Sequence, residues 1–158
     1  MYADLQFHKT DNSQNQYVVK EFATLRNNCE LTHYVFEPPT DFTLLTRNEQ
    51  KQVRWLEKNH HSIPWNAGFV PYKYVSRVIT KDLQSIEKIY VKGLDKIRFL
   101  EKLDIRHAIN IEDLGIQFRI KDIISGIKCL NHNNPNNNIC ALSIIFTIKT
   151  YMEFKNVM

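Results

Sequence analysis

Three β-rich stretches follow one another before any helical period begins, and this order restricts the fold more than any other feature of the chain. Met1–His8 reads as a short strand and Lys9–Asn15 as a polar turn. Tyr17–Leu25 (YVVKEFATL) reads as a second strand, and Leu31–Glu37 (LTHYVFE) as a third, stopped by Pro38-Pro39. Strands in succession at this spacing predict an antiparallel meander. The period then turns helical. Asn48–Asn59 is expected to be a charged helix with Val53, Leu56 and a stacked Trp55 on one side. Pro71 suits the first turn of a second helix, with an apolar stripe of Tyr74, Val75, Val78, Ile79 and Leu83. Lys88–Lys92 (KIYVK) is a short strand ending at Gly93, Asp95–Leu103 an amphipathic helix and Ala108–Ile111 another strand. Ile120–Ile127 is expected to be helical, and Ile139–Phe154 a largely buried helix.

The order β-β-β-α-α-β-α-β-α-α implies an α/β domain: a mixed sheet, three meander strands plus parallel strands, flanked by helices. It is compatible with an RNase H-like fold, as with other α/β domains. A chain of 158 residues has the size of one domain, so residues 1–158 are read as a single unit. Four glycines leave no Gly-rich phosphate loop. No apolar run approaches the roughly 20 residues that span a bilayer, so no membrane partner is expected. The N-terminus lacks a basic stretch followed by an apolar block, so the expected location is the cytoplasm, the nucleus or both.

The odd count of three cysteines in a chain read as unsecreted argues against a disulfide framework and turns attention to metal. Cys129-Leu-Asn-His132 and Cys140 form a C-x2-H-x7-C pattern. The close pair brings two ligands to one ion from a single turn, and the intervening Asn131–Asn138 segment (NHNNPNNN) brings back a third. Thiolate and imidazole are the donors zinc prefers, and a closed tetrahedral site needs a fourth. Cys29, Glu21 and His107 are the candidates for it. The competing reading is two buried apolar cysteines and a loop histidine. A loop this rich in Asn has no core of its own, however, and a metal clip would hold it down.

The run CLNHNNPNNNICAL, followed by a C-terminal helix, resembles the closing motif of the Maelstrom domain. That family is RNase H-like and related to the DEDDh 3′-5′ exonucleases, with a Glu-Cys-His-Cys metal tetrad in place of the catalytic set. Its Glu lies on an early strand, shortly before a strand that ends in a proline-containing turn. The matching stretch is VKEFATLRNNCELTHYVFEPP. The resemblance therefore implies one structural zinc held by Glu21, Cys129, His132 and Cys140, and leaves Cys29 as an edge or core residue. HHSIPW at His60–Trp65 is similar to a short His-containing segment of both groups. The HMG box often found before this domain in the family is not in the sequence.

The relationship also locates a degenerate exonuclease site. The opening D-x-E motif would be Asp4-Leu5-Gln6, a carboxylate followed by an amide. Asp95 could supply the next carboxylate, but Lys96 would repel a cation. The final H-x-A-L-x-D motif would overlay Ile139 to Ile144, with isoleucine at both the His and the Asp positions. A two-metal mechanism needs carboxylates and a base, so exonuclease activity is not expected. Asp4 and Gln6 are then read as remnants of the D-x-E motif, their ordinary reading being a strand-end turn residue and an exposed polar one.

Binding is the function left. Net charge is +4, which permits nucleic-acid contact through a basic patch without demanding it. Basic and aromatic residues interleave at Lys51, Arg54, Trp55 and Lys58, and at Tyr72, Lys73, Tyr74 and Arg77. Lys92, Lys96, Arg98 and Lys102 cluster at the strand–helix junction where nucleases of this fold hold substrate, and Lys88 and Lys121 can add to them. Lys92, Lys96, Arg98, Lys73 and Arg77 are the expected contacts to single-stranded RNA, whose bases stack on Tyr or Trp. The resemblance implies a role in small-RNA, piRNA-type silencing of transposons, with weak single-strand cleavage in some members. The alternative is a rigid scaffold for silencing-pathway proteins without nucleic-acid binding, followed by an active metal-dependent 3′-5′ exonuclease or single-stranded RNA endonuclease.

Overall fold

The computed structural model describes residues 1–11, 16–137 and 139–155. Its five-stranded sheet has the order β3-β2-β1-β4-β5. β1 (Tyr2–Asp11), β2 (Gln16–Arg26) and β3 (Glu30–Val35) form the antiparallel meander. β4 (Ile89–Val91) and β5 (Ala108–Asn110) add to the other side of β1 as parallel strands. This is the mixed, RNase H-like sheet expected from the element order. Lys9–Asp11 continue β1 rather than turning, and the remainder of the expected turn, residues 12–15, lies outside the described residues.

Alternation along the strands sorts the two faces. Ala3, Leu5 and Phe22 meet α2 (Val75–Leu83) and α3 (Leu94–Lys102), in a core with Ile79, Leu83, Ile89, Val91 and Leu100. Ala23 and Leu25 face the other way, against Ala141 and Ile145 of α4 (Ala141–Phe154). α1 (Arg47–Asn59) begins in a capping box between Thr46 and Glu49 and buries Val53 near Trp65. Trp55 departs from its expected place and is 59% exposed. Residues two apart on a helix point to different sides, so Trp55 cannot share the stripe of Val53.

The helix expected over Ile120–Ile127 is only a 3-10 turn, Ile120–Asp122. Gly126 takes a left-handed φ of +85°, and the Ile124 amide donates to Thr147 Oγ1 of α4 at 3.0 Å instead of to its own segment. Pro71 likewise precedes a 3-10 turn, Tyr72–Tyr74, that runs into α2. Among the described residues no helix is long and apolar enough to cross a membrane.

The β1–β2 ladder shifts register between Gln6 and Phe7, which pair with Glu21 and Val19 and leave Lys20 as the extra residue of a bulge. Lys20 is fully buried. Its ammonium donates to the carbonyls of Phe36, Trp65 and Ala67 at 2.7, 2.8 and 2.5 Å. That cage ties the segment around residues 60–70 to the end of β3. Gly68, with φ +129°, approaches Phe36 so closely that a Cβ would lie 2.3 Å from its carbonyl carbon. Gly68→Ala is therefore expected to destabilise the domain by about 3 kcal/mol or to prevent folding, read by urea unfolding.

Candidate metal centre and adjoining cleft

Glu21 sits on β2 directly opposite Gln6, on the face covered by α4, and is fully buried. An isolated carboxylate there would be very costly, and the structure brings partners from three other parts of the chain. Cys140 Sγ lies 3.1 Å from Glu21 Oε1, and Cys129 Sγ and His132 Nε2 lie 3.4 Å from it. The Ala141 amide, at the N-terminus of α4, donates to Oε2 at 2.9 Å. The donor atoms of Glu21, Cys129, His132 and Cys140 all lie within 4.8 Å of one another, a group that can hold a metal ion. Of the other candidates for the fourth ligand, Cys29 is exposed in the β2–β3 turn. His107 instead makes a 3.2 Å hydrogen bond to the Leu83 carbonyl.

Two features suit this group to a metal. His132 Nδ1 donates to the His61 carbonyl, which fixes the ring and turns Nε2 toward the other donors. The cluster is also rich in negative charge that protons now balance. Cys140 holds Cys129 down as a thiolate, near 3, and the two histidines His132 and His33 add to this against the effect of burial. Burial alone would lower His132, but hydrogen bonds to Cys129 and Glu21 raise it to about 10. Burial would raise Glu21, yet the bonds from His132 and His33 hold it well below the usual carboxylate range. A cation entering this group competes with those protons.

The Asn-rich loop is docked as well as clipped. The Asn133 amide donates to the Ser62 carbonyl at 2.9 Å. Asn137 Nδ2 donates to the His60 carbonyl and, at 3.1 Å, to Ser62 Oγ. The HHSIPW segment is thus the seat for the loop that carries His132 between the two candidate cysteine ligands. His33 was not foreseen. It stands beside Ala23 in the β2–β3 ladder and contacts Glu21 Oε1 at 2.8 Å. Its only sequence signal is alternation, which puts residues 33 and 35 of β3 on the face shared by residues 21 and 23 of β2.

Asp4 and Gln6 depart from the expected strand-end and exposed places: both are buried beside this centre. Gln6 Nε2 donates to Asp4 Oδ2 at 2.7 Å, and Lys96 Nζ donates to Asp4 Oδ1. The charge facing the Asp4 carboxylate is thus an ammonium of the chain itself. Asp95 is bound instead by Tyr17 at 2.8 Å and Lys9 at 3.3 Å. Ile139 and Ile144 line the neighbouring cleft with apolar side chains.

The cleft has a volume of about 610 Å³ and lies where β1 and β4 end, on either side of the point where strand order reverses. Open α/β sheets bind ligands at such points. Its walls are apolar, from Leu5, Phe7, Phe118, Ile139 and Ile144. Lys9, His60, Lys92, Lys96 and Arg119 supply polar edges, with the exposed Trp55 at the mouth. Lys92 and Lys96 are thus brought together, whereas Arg98, Lys73 and Arg77 are exposed and do not line the cleft. A polar recess continues from it past Lys92, Phe118 and Arg119 to Gln117.

Burial outweighs Lys96 and Gln6 and pushes Asp4 up to about 6 from its ordinary 3.8. The folded state therefore binds this proton more tightly than the unfolded chain does, and stability falls as pH rises through that interval. Lys96→Met removes the compensating cation and carries the penalty to neutral pH. It is expected to cost about 3–5 kcal/mol at pH 7 and much less at pH 5, with Asp4→Asn in the same chain restoring most of the loss. Denaturant unfolding at the two pH values checks this. Comparison with protein-family models, with curated proteins and with solved structures finds no match to this chain.

Proposed function

We propose that this is a zinc-stabilised, nuclease-like domain that has lost hydrolysis and binds single-stranded RNA in the cleft beside its metal centre. The zinc assignment rests on the donor set. Two sulfurs, one imidazole and one carboxylate suit that ion. Corners of a tetrahedron with zinc-like bonds are about 3.3–3.8 Å apart, and the Glu21 contacts of 3.1–3.4 Å come close to that spacing. Zinc held by these four residues supplies a cross-link between β2 and the start of α4. Its fourth corner is closed by a protein ligand, which favours a structural role.

The observation that carries the RNA reading is the cleft itself, with aromatic and apolar walls under a row of cations. Those cations differ in availability. Lys9, Lys92 and Arg119 pair with Asp95, Glu112 and Asp122 at 3.3, 2.8 and 3.6 Å, on partly exposed side chains. Such surface pairs are weak, of order 0–1 kcal/mol, so a phosphate can take the cation over. Lys96 is committed to the buried Asp4 and contributes position rather than phosphate binding. Trp55 offers its exposed ring for stacking. In the resembling family such binding serves small-RNA silencing of transposons, and that is the process proposed here.

Purified protein is expected to carry one zinc ion per chain. Chelation or Cys140→Ser should lower the unfolding temperature by several degrees, read by elemental analysis and calorimetry; a metal-free protein of unchanged stability would refute the zinc assignment. Binding to a single-stranded RNA oligomer should weaken steeply as salt rises. Lys92→Ala should reduce that salt slope by about one phosphate contact, and Trp55→Ala should weaken binding without changing the slope. Added Mg²⁺ should yield no Asp4-dependent cleavage. Absence of binding at low salt, with the fold intact, would favour the protein scaffold, for which the exposed Trp55, Leu94 and Ile120 form an apolar rim.

A further inference from the structure

The metal centre has a neighbour that neither the spacing of its ligands nor the resemblance assigns. His33 projects from β3 on the face that carries Glu21, two residue pairs along the ladder: Glu21 pairs with Val35, and Ala23 with His33. On one face of an antiparallel pair, such diagonal neighbours are within reach of long side chains. Here the contact is made, His33 Nε2 lying 2.8 Å from Glu21 Oε1. His33 is not one of the four residues whose donor atoms lie within 4.8 Å of one another. It also keeps 19% of its side chain exposed, whereas Glu21 and His132 keep none.

We propose that His33 is the positioning residue of the metal centre: its Nε2–H donates to the Glu21 carboxylate and holds that carboxylate on the ion. The inference rests on the metal-centre reading above. Carboxylates bound to metals are commonly fixed by a further hydrogen bond, and loss of that partner weakens metal binding. The arrangement divides the work on Glu21. The Ala141 amide anchors Oε2 to the start of α4, and His33 anchors Oε1 from the sheet. Held from both sides, the carboxylate cannot swing away. Cys129, His132 and Cys140 are then joined by a permanent fourth ligand, whereas release of Glu21 would leave three ligands and an open corner of the catalytic kind. His33 is thus the residue that keeps the centre closed.

The test is a zinc titration of the chelator-stripped full chain against a chromophoric chelator, together with the visible spectrum of the Co²⁺-loaded protein. His33→Ala is expected to weaken zinc binding about 10–100-fold. His33→Gln, which returns an N–H at similar reach, should recover most of the affinity. In a Glu21→Gln background, His33→Ala should have a much smaller further effect, because the 2.8 Å contact through which the residue chiefly acts is to Glu21. Unchanged affinity in His33→Ala would overturn the proposal. So would full loss in both His33 variants with a changed Co²⁺ ligand-field spectrum, which would make His33 a ligand itself. Wild-type protein that binds neither ion would overturn the metal centre, and this proposal with it. Thermal unfolding of the stripped variants separates these outcomes from misfolding: His33 lies on a partly exposed edge strand, and the stripped His33→Gln chain should unfold like the stripped wild type.

Discussion

A carboxylate removed from water must be met by opposite charge and hydrogen-bond donors, and Glu21 is the group around which this chain is arranged. Its partners come from β3, from the 129–132 turn and from the first residues of α4. They bring together the edge of the sheet, an irregular loop and the helix that covers one face. Apolar packing of Ala23 and Leu25 on Ala141 and Ile145 joins the sheet to the helix as well, and Glu21 adds the loop to that contact. The adjacent Lys20, ejected from the ladder by the bulge, makes a second polar hub of three carbonyls. That hub fixes the segment around residues 60–70. The segment in turn receives the Asn-rich loop through the His61 carbonyl and Ser62. Two consecutive residues of one strand therefore organise both the metal group and the seat on which its loop rests.

Asp4 shows a different answer to the same physical demand. Glu21 gathers soft donors and imidazoles, a set that suits a metal ion, whereas Asp4 is balanced by an internal ammonium and an amide. The two carboxylates share one face of the sheet. The contrast explains how the opening strand can carry a buried acid that is unsuited to hold a pair of divalent ions, since an ammonium already occupies it. Lys96 is occupied by that duty. Lys9, Lys92 and Arg119, whose acidic partners are only lightly held, are left as the cations of the cleft.

Much of this was legible in the sequence. The meander and the parallel strands follow from changes in hydrophobic period. The C-x2-H-x7-C spacing marks three ligands because two are local and the third is tied by a loop without a core. Glu21, more than a hundred residues away, was reached by resemblance; long-range partners leave no local spacing. His33 was missed for the same reason, since its role depends on strand register. Asp4 and Gln6 were misplaced because a polar residue in a strand reads as exposed until the partner that neutralises it, here Lys96, is known. The helix at Ile120–Ile127 failed because α4 offered the Ile124 amide a better acceptor than its own segment did.

The distance along the chain between Glu21 and its partners also bears on biosynthesis. Glu21 contacts residues 108 to 120 positions further on. When the first three strands leave the ribosome, their buried acid has none of its later partners except His33. The meander must wait, with a charged group on the face it will eventually bury, until almost the whole chain has been translated. The proposed ion can be loaded only once Cys140 has emerged, and a nascent chain that stalls before Cys129 leaves Glu21 without the other three candidate ligands.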